Sequence, residues 1–234
     1  MKKLSSRAVA ILTNCALSLI LVVVAVVCFL PSANVASGLE DRVYRKGSSE
    51  DGVSLMINVY WGTDEVYAML DTLDEYSATA TFFIGGSWAD DNVACLREIA
   101  ARGHEIGSHG YFHLSHDELD FDGNVREIAS SIEFISLATD RPITLFAPPS
   151  GAYNDATVEA AESMNLKTIL WSKDTIDWRD KDESLAFRRA TDGIEGGDFV
   201  LMHPMEHTAK ALPRILEYYR KHNLRAISVS ENLG

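Results

Sequence analysis

Short apolar runs alternate with helix-period segments along most of the chain, and this alternation limits the possible folds more than any other feature. Val53–Val59 reads as a strand, and Val66, Met69, Leu70 and Leu73 then recur at helical spacing. Thr79–Phe83 is β-rich, and Val93, Leu96 and Ile99 mark a second helix that stops near Gly103. The pattern repeats through strands at Glu105–Ser108, Thr144–Phe146, Thr168–Trp171, Phe199–Met202 and Arg225–Ser228. Helices fall between them around Val125–Ile135, Val158–Met164 and Leu212–Tyr219. About seven strands separated by helices predict an α/β fold with a parallel sheet. The pattern alone fits either an open doubly wound sheet or a closed barrel. There is no internal repeat, low-complexity tract or Gly-rich phosphate loop.

The N-terminus is different in kind. Lys2, Lys3 and Arg7 precede an uncharged run of 23 residues from Ala8 to Leu30. At about 1.5 Å per residue that run can cross a bilayer core of about 30 Å. The basic flank predicts a cytoplasmic N-terminus and an exported remainder. The expectation is therefore a basic tip at 1–7, an anchor or signal segment at 8–30, a linker at 31–52 and one domain at 53–234. Small residues after Pro31 also permit cleavage, which would release the domain. In either case the domain would lie on the extracytoplasmic side of the cell membrane.

Three basic and no acidic residues precede Glu40, so the remainder has 18 basic against 34 acidic side chains, a net charge of −16. That balance argues against nucleic acid as a partner. Cys15 and Cys28 fall in the apolar run, which leaves Cys95 without an intradomain partner.

Polar residues cluster just past the strand candidates. Tyr60, Trp61, Gly62 and Asp64 follow the first, and His109 and His113 follow the third. Ala147–Gly151 follows the fourth, Asp174, Asp177 and Trp178 the fifth, and His203 the sixth. Carboxyl ends of parallel strands share one face, where α/β folds build their sites. These clusters are therefore expected to converge. On a helix-like turn the i, i+4 pair His109 and His113 would project from one face, as two metal ligands must. His203 and His207 have the same spacing, so the pair alone is weak. Asp174 is the expected partner of His203, since a carboxylate orients an imidazole and stabilises its protonated form.

Taken in order, these residues resemble the polysaccharide deacetylase family, the NodB-type domains or family 4 carbohydrate esterases. The resemblance runs from Val53 to Val229. It rests on Thr79–Ile84, Gly103–His113, Pro148–Asn154, Asp174–Trp178 and Val200–His203. It implies a distorted (β/α) barrel and metal-dependent hydrolysis of N-acetyl groups on a peptidoglycan- or chitin-like glycan. Carried over residue by residue, His109 and His113 would hold a divalent metal, usually zinc. His203 would be the general acid with Asp174 behind it. Pro149 and Gly151 would shape the groove wall and Trp178 would line it.

The departures matter as much. The family's two adjacent aspartates, base and third metal ligand, fall at Tyr60 and Trp61, and the arginine that positions the base falls at Ala147. Losing both together is physically coherent, because an arginine without its carboxylate would be an unpaired buried charge. The sequence is similar to a sporulation-associated subgroup with an Asn-Val-x-Trp-Gly first motif. The leading expectation is a hydrolase with a rearranged first motif, in which Asp64 completes the metal set, with Glu65 next and Asn58 a weaker choice. The second is a glycan-binding pseudoenzyme in which Tyr60, Trp61 and Trp178 form an aromatic floor. The third is a surface scaffold for wall assembly.

Overall fold

The computed structural model describes residues 38–234, together with Arg7 and Ser18. The segment expected at 8–30 lies outside the described residues, Ser18 apart. No helix among the described residues is long and apolar enough to cross a membrane.

Nine strands form one sheet in which every ladder is parallel. They are β1 (Val43–Tyr44), β2 (Gly52–Val59), β3 (Thr81–Ile84), β4 (Glu105–Ser108) and β5 (Leu145–Phe146). The others are β6 (Lys167–Ile169), β7 (Lys173–Asp174), β8 (Phe199–Met202) and β9 (Arg225–Ala226). The order is β1-β6-β5-β4-β3-β2-β8-β7, with β9 also on β2. β1 and β7 end the path without pairing to each other, so the sheet is a curled, incomplete barrel. The helices are α1 (Asp64–Glu75), α2 (Gly86–Asp91), α3 (Val93–Ala101), α4 (Phe121–Thr139), α5 (Asp155–Ser163), α6 (Glu183–Thr191), α7 (Glu206–Lys221) and α8 (Val229–Leu233).

β2 organises the core. All eight of its residues are buried, as a strand covered on both faces requires. Side chains alternate along it, so Val53, Leu55, Ile57 and Val59 face the helices and pack with Met69, Leu70, Leu96, Ile99, Leu212 and Ile215. Met56 faces inward with Phe83, Leu145, Ile169 and Phe199. The same alternation sends Asn58 inward, at the carboxyl end where the inner space opens.

Six elements depart from the expectations, the unanticipated helices α2 and α8 among them. β1 and β7 add two strands to the seven read from the sequence. Each is two residues long, too short to show a period. The third is α6, whose buried residues Ala186, Ala190 and Thr191 are small and whose larger Leu185 and Phe187 stand two apart rather than at helical spacing. The fourth is the linker. From Leu39 onward the chain is part of the domain rather than a stalk. Val43 is buried against Val158 and Leu170, Lys46 pairs with the buried Asp198 at 3.3 Å, and Gly47 N–H donates to the Gly197 carbonyl.

This correction is testable. Val43→Asp would place a carboxylate in that apolar contact and is expected to destabilise the domain by about 2–4 kcal/mol. Urea unfolding should show a lower midpoint with an unchanged slope. A solvated stalk would leave the midpoint where it was.

Candidate functional site

The carboxyl ends of the parallel strands surround an open cleft of about 350 Å³. Of the residues singled out in the sequence, Trp61, His109, His113, Asp174, Trp178 and His203 line it. Asn58, Ser150, Trp171 and Leu201 complete the wall.

His109 and His113 are carried by the loop after β4, which is not helical. Their common direction comes instead from a carboxylate. Glu127 of α4 is buried, and its Oε2 accepts the backbone N–H groups of Tyr111 and Phe112 at 3.1 and 2.9 Å. The loop wraps around that oxygen, with Gly110 at φ 73° and His113 at φ 57°. The imidazole centroids end 5.1 Å apart. His109 Nδ1 lies 2.7 Å from the Ala147 carbonyl oxygen. A carbonyl can only accept, so Nδ1 carries the proton and Nε2 presents a lone pair. Burial first, then neighbouring His113, drives the His109 pKa down to about 3. Burial also lowers that of His113.

On the opposite wall the partner of His203 is Asp177, not Asp174. Asp177 Oδ1 lies 2.7 Å from His203 Nδ1. Its Oδ2 accepts the His203 backbone N–H at 2.8 Å and the Thr208 hydroxyl at 2.7 Å. Burial raises the Asp177 carboxyl, but the bonds to His203 and Thr208 outweigh it and hold it below the usual range. Asp174 instead spends Oδ1 on the Ile176 backbone N–H at 2.7 Å, and burial raises its pKa. The two residues lie three apart, on β7 and in the turn that follows, with Ile176 at φ 52° between them. That turn sends Asp177 under His203 and leaves Asp174 facing the cleft.

The first motif is aromatic in space as well as in sequence. The Trp61 indole stacks on the His203 ring at 5.5 Å and 10°, and its N–H points at Met205 Sδ at 3.2 Å. Tyr60 packs against His113 at 4.6 Å behind the wall, where a Cβ on Gly85 would approach its ring to 2.4 Å. Asp64 does not reach the cleft. Gly62, at φ 76°, turns the chain away, and Asp64 opens α1, facing a separate groove with Glu65, Ala68, Thr72, Glu206 and Lys210. The helix N-terminus is a favourable place for both carboxylates, which accounts for their position without a ligand. Asn58, read as the weakest candidate, is the first-motif polar side chain that does line the cleft. It is 4% exposed and its Oδ1 has no hydrogen-bond partner among the described residues.

Pro149 is buried and shapes the wall from behind. Ser150 and Gly151 have φ 56° and 67°, and a Cβ on Gly151 would meet Trp171 at 2.8 Å. Gly151 thus lets Trp171 stand in the cleft. In the sequence Trp171 passes for the end of an apolar strand.

These donors do not suit a divalent metal. Two imidazoles converge, but the position where the family resemblance implies a third, anionic ligand carries the Trp61 indole. Among the described residues no three His, Cys, Asp or Glu side chains are arranged to hold a metal ion. Asp177, the buried carboxylate nearest the chemistry, is committed to three donors.

Asp177→Asn would leave His203 with a mismatched partner and is expected to cost about 2–4 kcal/mol. The folded-state pKa of Asp177 is depressed, so its contribution is present above the unfolded value of 3.8 and lost as pH falls through the folded value. Acid titration of stability should therefore be shallower below about pH 4 in the variant than in the parent.

A polysaccharide deacetylase family model matches residues 45–169. The uncharacterized protein YlxY of Bacillus subtilis is 32% identical over 186 residues, 80% of this chain, which spans 58% of that protein's length. A peptidoglycan-N-acetylglucosamine deacetylase of Bacillus cereus is 32% identical over 180 residues, 74% of this chain and 84% of that protein. Among solved structures, a CE4 family pseudoenzyme from Bacillus anthracis superposes with a TM-score of 0.80 at 30% identity, covering 82% of this chain and 69% of that one. A mutant of it with restored enzymatic activity gives 0.80 at 28% identity, with 82% and 71% covered. The chain belongs to the polysaccharide deacetylase family.

Proposed function

We infer that this protein is a catalytically silent member of its family that binds an amino-sugar glycan of the peptidoglycan class. Trp61 carries the reading: its indole lies over His203 where the family pattern calls for a carboxylate. The hydrolytic alternative looked to Asp64 and then Glu65 to complete the set, and both face another groove; Asn58, the weaker choice, lines the cleft but carries no charge. A hydrolase also needs a base to take a proton from water. Asp174 is the remaining carboxylate in the cleft, but its Oδ1 accepts the Ile176 N–H, and the position of the arginine that would orient a base is Ala147. What the cleft retains suits recognition. Trp61, Trp171 and Trp178 offer aromatic faces on which sugar rings stack, and Trp178 is 52% exposed at the rim.

Similarity to the B. anthracis pseudoenzyme supports the silent reading, and similarity to the B. cereus deacetylase supports the ligand class. The apolar run after Lys2, Lys3 and Arg7 supports attachment to the cell membrane with the domain outside. The domain would then face the wall that its relatives act on.

The full chain is expected to bind peptidoglycan fragments saturably and to release no acetate from them, with or without added zinc. Trp61→Ala should weaken binding on the order of tenfold, about 1.4 kcal/mol, by calorimetry. Acetate release that disappears in a His109→Ala, His113→Ala double variant would overturn the reading.

A second expectation concerns the metal. The parent should take up no stoichiometric zinc in equilibrium dialysis. Tyr60→Asp with Trp61→Asp supplies carboxylates beside the two imidazoles and should bind one equivalent, as the ligand count requires. Equal uptake by the parent would show that the histidine pair recruits a ligand from elsewhere.

A further inference from the structure

We propose that the sugar held in the cleft is a de-N-acetylated one, recognised through its protonated amine. The inference rests on the glycan-binding reading and specifies which chemical form of the glycan is bound.

Three of the polar groups facing the cleft present acceptors, one of them anionic, beside the Ser150 hydroxyl and the Asn58 amide nitrogen, which can donate. No Lys or Arg lines it. Asp174 lines it with a half-buried carboxylate. One of its oxygens accepts the Ile176 N–H, and no ion pair engages it among the described residues. The two arginines that approach it are committed elsewhere, both to Asp180, Arg179 at 2.8 Å and Arg189 at 2.6 Å. Asn58 Oδ1 is an acceptor without a donor, in a side chain 96% withdrawn from solvent by its 4% exposure. His109 adds a lone pair at Nε2, since its Nδ1 proton is used by the Ala147 carbonyl. Each of these is an acceptor, and leaving buried acceptors unmet is costly.

The charge balance has the same sign. His203 is tied to Asp177, so that pair contributes zero when the imidazole is protonated and −1 when it is not. Trp61, Trp171 and Trp178 present π faces, which attract an ammonium and are indifferent to an acetamide carbonyl. The field of an exported domain at −16 further favours a cationic sugar over a neutral one. An acetamido group would bring its own carbonyl acceptor, and the Trp61 N–H that might have met it already points at Met205. Protein that reads an exposed amine rather than an acetyl group recognises glycan on which a deacetylase has already acted. The reaction class that supplies the ligand is therefore amide hydrolysis on the glycan.

The test compares β-1,4-linked tetramers of glucosamine and of N-acetylglucosamine, titrated into the full chain by calorimetry. The pH is set just below neutral, where the sugar amine is largely protonated. The glucosamine tetramer is expected to bind on the order of tenfold more tightly. Asp174→Asn should bring the ratio close to one, and Glu159→Gln, which removes an exposed charge on α5, should keep it. Equal or tighter binding of the acetylated tetramer would overturn the inference and leave the glycan-binding reading standing. A preference that survives Asp174→Asn, or that falls as far in Glu159→Gln, would reduce it to general attraction between an acidic protein and a cationic sugar. Binding of neither tetramer would remove both readings.

Discussion

Parallel pairing on β2 is the constraint from which the site follows. A strand buried on both faces must be flanked by neighbours and covered by helices. β3, β8 and β9 run parallel to it, and the connections return over the outside. Every carboxyl end then opens on one rim. Residues as far apart in sequence as Asn58, His109, Asp174 and His203 share a cleft because of that geometry, whatever chemistry the cleft performs.

The rim also shows how a site can lose catalytic groups without losing its shape. The arginine expected at position 147 is an alanine, yet the Ala147 backbone carbonyl still takes the His109 Nδ1 proton. A backbone acceptor survives any change of side chain. The loop between the two histidines hangs on Glu127 through backbone N–H groups, again independent of the side chains it presents. Base, arginine and third ligand can thus depart together while the imidazoles stay in place. Aromatic rings then fill the space, Trp61 over His203 and Tyr60 behind His113.

The alternation of apolar runs made the parallel fold legible, and the polar residues past each run located the rim. Elements too short for a period, or without an apolar stripe at helical spacing, were hidden: the two-residue strands β1 and β7, and α6, whose buried residues are small and whose Leu185 and Phe187 stand two apart. At the site, motif order identified which residues gather but not how each one points. Asp174 and Asp177 are both acidic and three apart, and only the left-handed turn at Ile176 decides which lies under His203. Asp64 was misplaced for a similar reason, since the turn at Gly62 aims it at the start of α1. Asn58 carried a usable signal that was discounted. It sits on the inward parity of β2, shared with Met56, and a polar residue there needs a partner that the described residues do not provide.

Retention of His203 is therefore poor support for catalysis. Its ring is fixed by a fully buried carboxylate that also accepts its backbone N–H and the Thr208 hydroxyl. Removing the imidazole would strand Asp177 as a buried charge short of a partner, a loss the fold would feel whether or not a proton is ever transferred. The same holds for His109, whose Nδ1 satisfies a carbonyl in the interior. Both imidazoles keep a structural duty on one ring nitrogen and face the cleft with the other. A site built this way would keep its histidines even without a reaction, and that fits the recognition role proposed for the cleft.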